Sequence, residues 1–454
     1  KLGFPLDDAW IHQTYARNLL RFGDWVFNPG LRSAGSTSPL WTILLIPGHL
    51  FSNYFFLFWT IIISSGLFIT SAIIFQNILE KLIQTKTKFP FGGLLFLFEW
   101  HIAWAANSGM ETILFIFFIL AFIYYLYSEK KLIHLWIILG LIIFIRPDGI
   151  TLMGPLFFVL IMDNNMRQPK KIKDHIVGIV IFLCMLLLFS IFNYRLSGQF
   201  LPNTFFAKQA EYQILLLRPL GVRVIELLII PLTGVGILLV PGFLVFMYQS
   251  IIEKNWKNIT LFLWFFGYIL MYAIRLPVNY QHGRYLIPTI PVFILISCIG
   301  TIKLFNNQSL NFKLFKLGYS LTIISVLIIF FTLGAKAYAE DVAIIETEMV
   351  ETAIWINNNL DDGAIVAAHD IGALGYFGNR KIIDLAGLIS SDVIPIIRDE
   401  PGLEMYLNQN NADYLVVFPG WYEQLDNLKA VIYQSTGLFS PKAGGENMHI
   451  YSWR

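Results

Sequence analysis

From residue 54 to residue 334 the chain is a near-continuous succession of apolar runs, each bounded by a few charged or turn-forming residues. A hydrocarbon core of about 30 Å is crossed by about 20 helical residues, and inside it every backbone amide must be satisfied within its own segment. Such runs read as membrane helices. Ten are counted, at 54–79, 89–104, 110–127, 132–145, 150–162, 176–196, 222–248, 259–275, 285–302 and 317–334. The fourth and fifth are short and meet at Arg146-Pro147-Asp148-Gly149, a turn-forming sequence set below the membrane surface. The chain is 56% hydrophobic and 14% charged, against about 25% charged in a soluble domain. The expected class is a polytopic α-helical membrane protein with about ten transmembrane helices.

Loop charge orients it. Lys81, Lys86 and Lys88, then Lys130 and Lys131, then Arg167, Lys170, Lys171 and Lys173, then Lys254 and Lys257, then Lys303, Lys313 and Lys316 occupy every second connection, which makes those loops cytoplasmic. The first loop, 1–53, the later loops of opposite parity and everything after 335 then face outward, and all the unusual polar motifs fall on that side. A net charge of +2 gives no reason to expect nucleic acid. Cys184 and Cys298 lie inside apolar runs and read as packing residues. An outward first loop needs a preceding hydrophobic segment, so a further transmembrane helix is expected upstream of Lys1.

The run from Pro39 to Phe51 is too short to span and reads as a helix lying in the outer interface, held by Trp41. Beyond about residue 338 the texture becomes charged and alternating. A membrane domain over 1–338 and a small soluble domain over 339–454 are expected. In the latter, 345–359 and 403–408 have helical character and 364–368, 381–385 and 414–418 read as buried strands, which makes an α/β layer with a partly parallel sheet. No internal repeat is found.

The chemistry concentrates in a few polar words. Asp7-Asp8 stands just before the first helix. One aspartate suffices to cap that helix, so the pair exceeds what a cap needs; if both are functional, one carboxylate takes a proton from a hydroxyl as general base and the other orients it or helps hold a cation. Glu111, in Ser108-Gly109-Met110-Glu111-Thr112, either settles a helix N-terminus or faces the same outer cavity. Arg146 and Asp148 can satisfy each other or meet substrate. Asn203, Thr204 and Lys208 in the long outer loop offer neutral hydrogen bonds and a mobile positive charge, although a lysine there also snorkels to headgroups. In His282-Gly283-Arg284-Tyr285, Arg284 suits a phosphate bidentately, with Arg275 as the plainer interface anchor. His369 and Asp370 end a predicted strand and face the membrane site, and Asp384 reads similarly. No zinc spacing, P-loop or nucleophile elbow occurs, so the expected chemistry is acid, base and electrostatic.

With Asp7-Asp8-Ala9-Trp10-Ile11, Asn28-Pro29-Gly30, Thr37-Ser38-Pro39-Leu40-Trp41, Ser108 to Thr112, Arg146-Pro147-Asp148-Gly149, Asn203-Thr204 and His282-Gly283-Arg284-Tyr285, the chain resembles the GT-C superfamily of membrane glycosyltransferases, and within it the terminal arabinofuranosyltransferase-like branch. The resemblance spans the membrane part. It implies a plasma-membrane enzyme with its site and C-terminal domain outside the cytoplasm. It also implies a polyprenyl-phosphate-linked sugar donor and a cell-envelope glycan, lipid or protein acceptor. Asp7 is then the acceptor-activating base, with Asp8 its helper, and Arg284 and Lys208 stabilise the leaving phosphate. Glu111, Arg146, Asp148, Asn203, Thr204, His282, Tyr285, His369 and Asp370 are the further substrate-binding candidates. Asp7, Asp8 and Glu111 are the candidate ligands for a divalent cation such as Mg, Mn or Ca. A transporter or lipid flippase is the alternative, since intramembrane charges also mark substrate paths; an inert scaffold is a third reading.

Overall fold

The structure, a computed structural model, describes residues 2–454 except 52–53, 129–131, 307–312 and 427–428. Lys1, Lys130 and Lys131 lie outside the described residues. The chain opens with α1 (Asp8–Phe22), which ends where Gly23 at φ 67° returns its N–H to the Leu19 carbonyl. A short α2 (Pro39–Leu45) continues as a 3-10 turn over Ile46–His49. This segment does not span, but neither is it held in the lipid interface by Trp41. That side chain is fully buried, and its indole N–H donates to the Gly109 carbonyl at 2.9 Å. The segment packs into the protein because its one large polar aromatic finds a partner there.

The membrane part continues with α3 (Phe55–Ile83), α4 (Phe91–Phe98), α5 (Trp100–Asn107), α6 (Thr112–Ser128), α7 (Ile133–Ile143), α8 (Met153–Met162), α9 (Pro169–Ser197), α10 (Asn203–Glu211), α11 (Leu220–Leu232), α12 (Val235–Ile252), α13 (Trp256–Arg275), α14 (Ile290–Asn306) and α15 (Lys313–Ile344). Among the described residues six helical stretches are long and apolar enough to cross a membrane: Phe55–Ile83, Pro169–Ser197, Val235–Ile252, Trp256–Arg275, Tyr280–Phe305 and Lys313–Asn359. The expected ten is not reached as ten long spans, for local reasons. The run 89–104 breaks at Glu99, whose backbone is extended and whose carboxylate accepts the Ile102 N–H at 2.9 Å. The run 222–248 breaks at Thr233 and Gly234, the latter at φ 75°. Apolar periodicity cannot register a single capping residue inside a run.

Lipid-facing sides are plain: Leu183, Leu187 and Leu188 on α9 are each more than half exposed. Inside, α12 and α14 approach until their backbones touch. A Cβ on Gly242 would lie 2.2 Å from the Ser297 carbonyl, and one on Gly300 would lie 1.8 Å from the Gly242 carbonyl. Small residues at such crossings replace side-chain interdigitation with direct backbone contact.

Beyond α15 the helix runs through a π-helical segment, Ile345–Val350, into α16 (Glu351–Asn359). The buried Glu348 in that segment accepts the Met448 N–H at 3.0 Å and the Ser435 hydroxyl. The sheet domain follows with β1 (Ile365–Ala368), α17 (Gly372–Phe377), β2 (Lys381–Asp384), α18 (Glu400–Gln409), β3 (Tyr414–Val417), β4 (Val431–Gln434) and β5 (His449–Ser452). Strand order is β2-β1-β3-β5-β4. β1 is parallel to β2 and β3, whereas β5 is antiparallel to β3 and β4. The three sequence-predicted strands are the parallel ones. β4 was not anticipated because it is a largely exposed edge without a buried run.

Replacing Gly242 or Gly300 by leucine should force α12 and α14 apart, at a cost of about 1–3 kcal/mol or more. The expected outcome is a clear fall in the thermal midpoint of the detergent-extracted protein. An unchanged midpoint would mean that the crossing tolerates separation.

Candidate active site

The two adjacent aspartates point to different partners. Asp7 is the residue before α1, and its Oδ2 and Oδ1 accept the Gly372 and Ala373 N–H groups at 2.6 and 2.8 Å. Those amides are the free donors at the start of α17, where a helix end receives an anion. Glycine is required at 372, since a Cβ there would lie 2.0 Å from the Asp7 carbonyl oxygen. Burial, together with the nearby Asp370 carboxylate, pushes the Asp7 carboxyl up, against the downward pull of the two amides.

Asp8, one residue on, faces the opposite way. Its Oδ2 accepts from Arg284 Nη2 at 2.6 Å and lies 3.3 Å from Lys208 Nζ. The Tyr285 hydroxyl ties the same two cations together, accepting from Lys208 at 2.8 Å and from Arg284 at 3.0 Å. Burial alone would raise the Asp8 carboxyl, but Lys208 and Arg284 outweigh it and hold it far below the usual carboxylate range.

This cluster lines a cavity of about 420 Å³. Of the residues expected from sequence, Asp8, Glu111, Arg146, Asp148, Thr204, Lys208, Arg284 and Tyr285 line it; Asp7, Asn203, His282, His369 and Asp370 do not. Arg146 is held by Asp148 through two contacts of 3.1 and 2.8 Å, and Tyr272 donates to the same carboxylate at 2.6 Å. Glu111 lies 3.4 Å from His12, whose other ring nitrogen meets Ser36 and Thr42. His12 escaped the sequence reading although a signal existed: it follows Asp8 by four residues and so shares its helix face. Arg275, set aside as an interface anchor, also lines the cavity.

Arg284 is 8% exposed, and its Nε and Nη1 have no hydrogen-bond partner. It is presented by a strained turn in which Gln281, His282 and Gly283 have φ of 50°, 57° and 66°. Non-glycine residues in that region cost about 1–3 kcal/mol each and persist where the surroundings enforce them. Here the enforcement comes from His282, whose ring sits between Trp100 and Trp104 and whose Nε2 lies 2.8 Å from Asp341 on α15. His282 therefore positions the turn instead of meeting a ligand in the cavity.

The sheet domain closes over α1. Trp10 packs on Tyr376 and Phe377, and Arg17 donates to the Gly375 carbonyl at 3.2 Å while stacking 4.6 Å from the Tyr376 ring. Asn28 pairs with both backbone groups of Ile382, at 2.8 and 2.9 Å, as a strand neighbour would. His369 meets the Tyr422 hydroxyl at 2.7 Å and Glu211 of α10 at 3.5 Å. Asp384 turns inward on the Ala386 and Ile389 N–H groups.

The proposed cation ligands do not converge. Asp7 is engaged by two amides, Asp8 by two cations and Glu111 by His12. Among the described residues no three His, Cys, Asp or Glu side chains are placed to share a metal ion.

Stability should be pH-dependent. Burial raises Asp370 to about 6, with His369 opposing, whereas a free aspartate titrates near 3.9. The folded state thus holds a proton that the unfolded chain has lost, and the stabilisation is complete below about 4 and declines as pH rises through about 6. The thermal midpoint should be lower at pH 8 than at pH 5, and Asp370→Asn should narrow the difference. A variant with the full wild-type pH dependence would remove Asp370 from this account.

Residues 337–451 match a family described as a domain of unknown function, DUF8728. A search of the curated proteins finds no match. Among solved structures, ArnT from Cupriavidus metallidurans in the apo state is similar at a TM-score of 0.60 and 13% identity, over 98% of this chain and 93% of that one. The same protein bound to undecaprenyl phosphate gives 0.60 and 14% over the same shares. The Archaeoglobus fulgidus oligosaccharyltransferase, tethered to an acceptor peptide, gives 0.58 and 11%, over 92% of this chain and 65% of that one. At these identities the likeness shows the fold: the chain shares the architecture of these two proteins, with apolar helices long enough to cross a membrane and a small sheet domain at its C-terminal end.

Proposed function

We propose that the protein is an inverting glycosyltransferase that moves a sugar from a polyprenyl-phosphate carrier to a hydroxyl of a cell-envelope acceptor, at the outer face of the plasma membrane. The observation that carries this reading is Arg284, a buried guanidinium with two unpartnered nitrogens in a cavity that also holds Lys208 and a carboxylate. A buried cation with free donors is costly unless an anion completes it, and arginine suits phosphate oxygens in particular. The fold, shared with a protein solved with undecaprenyl phosphate bound, supports a lipid phosphate as that anion.

In the reaction the acceptor oxygen attacks the anomeric carbon from the face opposite the phosphate. The bond from that carbon to the phosphate oxygen breaks, and the phosphate keeps its electron pair. Arg284, Lys208 and the Tyr285 hydroxyl stabilise the charge as it develops. Asp8 receives the acceptor proton, because it is the member of the acid pair that lines the cavity. Asp7, with both oxygens on α17, is a positioning residue that fixes the start of α1 under the sheet domain. In this respect the reading departs from the sequence expectation that Asp7 is the base.

The test is transfer of radiolabelled sugar from a panel of synthetic polyprenyl-phosphate sugars to cell-envelope acceptors, with an EDTA arm. Asp8→Asn should lower turnover by about 100-fold or more. Asp7→Asn should lose activity only in step with its thermal midpoint. Loss of transfer in Asp7→Asn at an unchanged midpoint would return the base to Asp7. No transfer or donor hydrolysis from any donor by folded wild-type protein would favour a transporter.

A further inference from the structure

We propose that Asp8 holds the place of the carrier phosphate, so that the arriving phosphate takes Arg284 and Lys208 from it and frees Asp8 to act as the base. This rests on the reading of the cavity as a phosphate site and adds a coupling between donor binding and base activation.

A single oxygen of Asp8, Oδ2, engages both cations, at 2.6 Å from Arg284 and 3.3 Å from Lys208. A carboxylate so paired is a poor proton acceptor, because protonation would leave the buried Arg284 and the half-buried Lys208 facing each other without an anion. Arg284 nevertheless commits only Nη2; its Nε and Nη1 remain buried and unpartnered. The guanidinium is thus half used, and a phosphate can engage its free edge before Asp8 lets go. Of the other charged groups that line the cavity, Arg146 already has Asp148 and Glu111 already has His12, while Arg275 stacks 4.6 Å from the Phe205 ring.

Charge counting supports the exchange. Arg284 and Lys208 carry two positive charges and Asp8 one negative, so the trio has one positive charge in excess. A polyprenyl-phosphate sugar is a phosphodiester with one negative charge, and its binding brings the group to zero. In the transfer step the acceptor proton moves to Asp8, which becomes neutral, while the departing monoester carries close to two negative charges. The sum remains zero across the chemical step. That suits a site of low dielectric, where net charge is costly. When Asp8 then loses its proton to solvent, the group has one negative charge too many. The carboxylate takes back its cations and helps expel the product phosphate.

The test separates binding from turnover. Purified wild-type, Asp8→Asn, Asp8→Ala and Arg284→Gln proteins in detergent are titrated with a polyprenyl phosphate, and with the matching polyprenol as the uncharged control. Removing an internal competitor that makes two charge-assisted contacts should tighten polyprenyl phosphate binding about 10- to 100-fold in the Asp8 variants. Polyprenol affinity should not change, and transfer should be lost. A purely structural Asp8 would lose binding and turnover together. Equal or weaker phosphate binding in an Asp8 variant of wild-type thermal midpoint overturns the proposal while leaving the phosphate site standing. Wild-type protein that binds phosphate and alcohol alike, with no loss in Arg284→Gln, overturns the phosphate site itself. A second readout needs no folded variant: the carboxylate bands in the infrared difference spectrum of wild-type protein should shift when polyprenyl phosphate binds, and an unshifted spectrum counts against the exchange.

Discussion

Two carboxylates on consecutive residues hold the two parts of this molecule together, and the rest of the site is arranged around that pair. Asp7 ends on the amides of α17 in the sheet domain, and Asp8 on Arg284 and Lys208 in the membrane domain. Neither contact is a surface ion pair, whose contribution is small and screened. Asp7 and Arg284 are buried and Asp8 half-buried, and leaving a buried partner unpaired costs far more than the pair itself contributes. Position along the chain thereby becomes geometry: the first turn of α1 can lie only where a helix N-terminus above it and a cation pair beside it are both in reach.

The strained turn before Arg284 belongs to the same logic. Three successive left-handed residues do not persist without support, and His282, wedged between two tryptophans and bound to Asp341, supplies it. Asp341 lies on α15, the helix that continues into the sheet domain. The arginine on one side of Asp8 and the amides that hold Asp7 are therefore both braced from the C-terminal third of the chain.

Much of this was legible in the sequence, and the rest was hidden for identifiable reasons. The membrane class followed from apolar runs too long for anything else, and eight of the named polar residues do meet in one cavity because each sits where a helix begins or ends at the same face. The break at Gly234 was not legible, since one glycine with left-handed backbone leaves the average apolarity unchanged, whereas Glu99 is a lone charge inside an apolar run and was a signal passed over. The roles within Asp7-Asp8 were not legible either. Adjacent residues at a helix start diverge by about 100°, and which one faces the cavity depends on packing from residues 372 and 373, far away in sequence. Trp10 and Asn28, which belong to the words that carry the family resemblance, turn out to grip the sheet domain. A sequence pattern records that a residue is constrained without recording by what.

The pairing of residues 7–28 with residues 369–382 has a consequence for how the molecule is made. The first helix leaves the ribosome early, and its partners at α17 and β2 leave it close to the end. In the interval every intervening membrane segment must be inserted while Asp7, Trp10 and Asn28 wait without the groups that satisfy them. The cavity is thus completed last, by closure of a loop more than three hundred residues long, and a chain halted between Arg284 and the sheet domain carries Lys208 and Arg284 without the contact of Asp7 that fixes Asp8 between them. Synthesis order itself keeps an unfinished chain from presenting an assembled cavity.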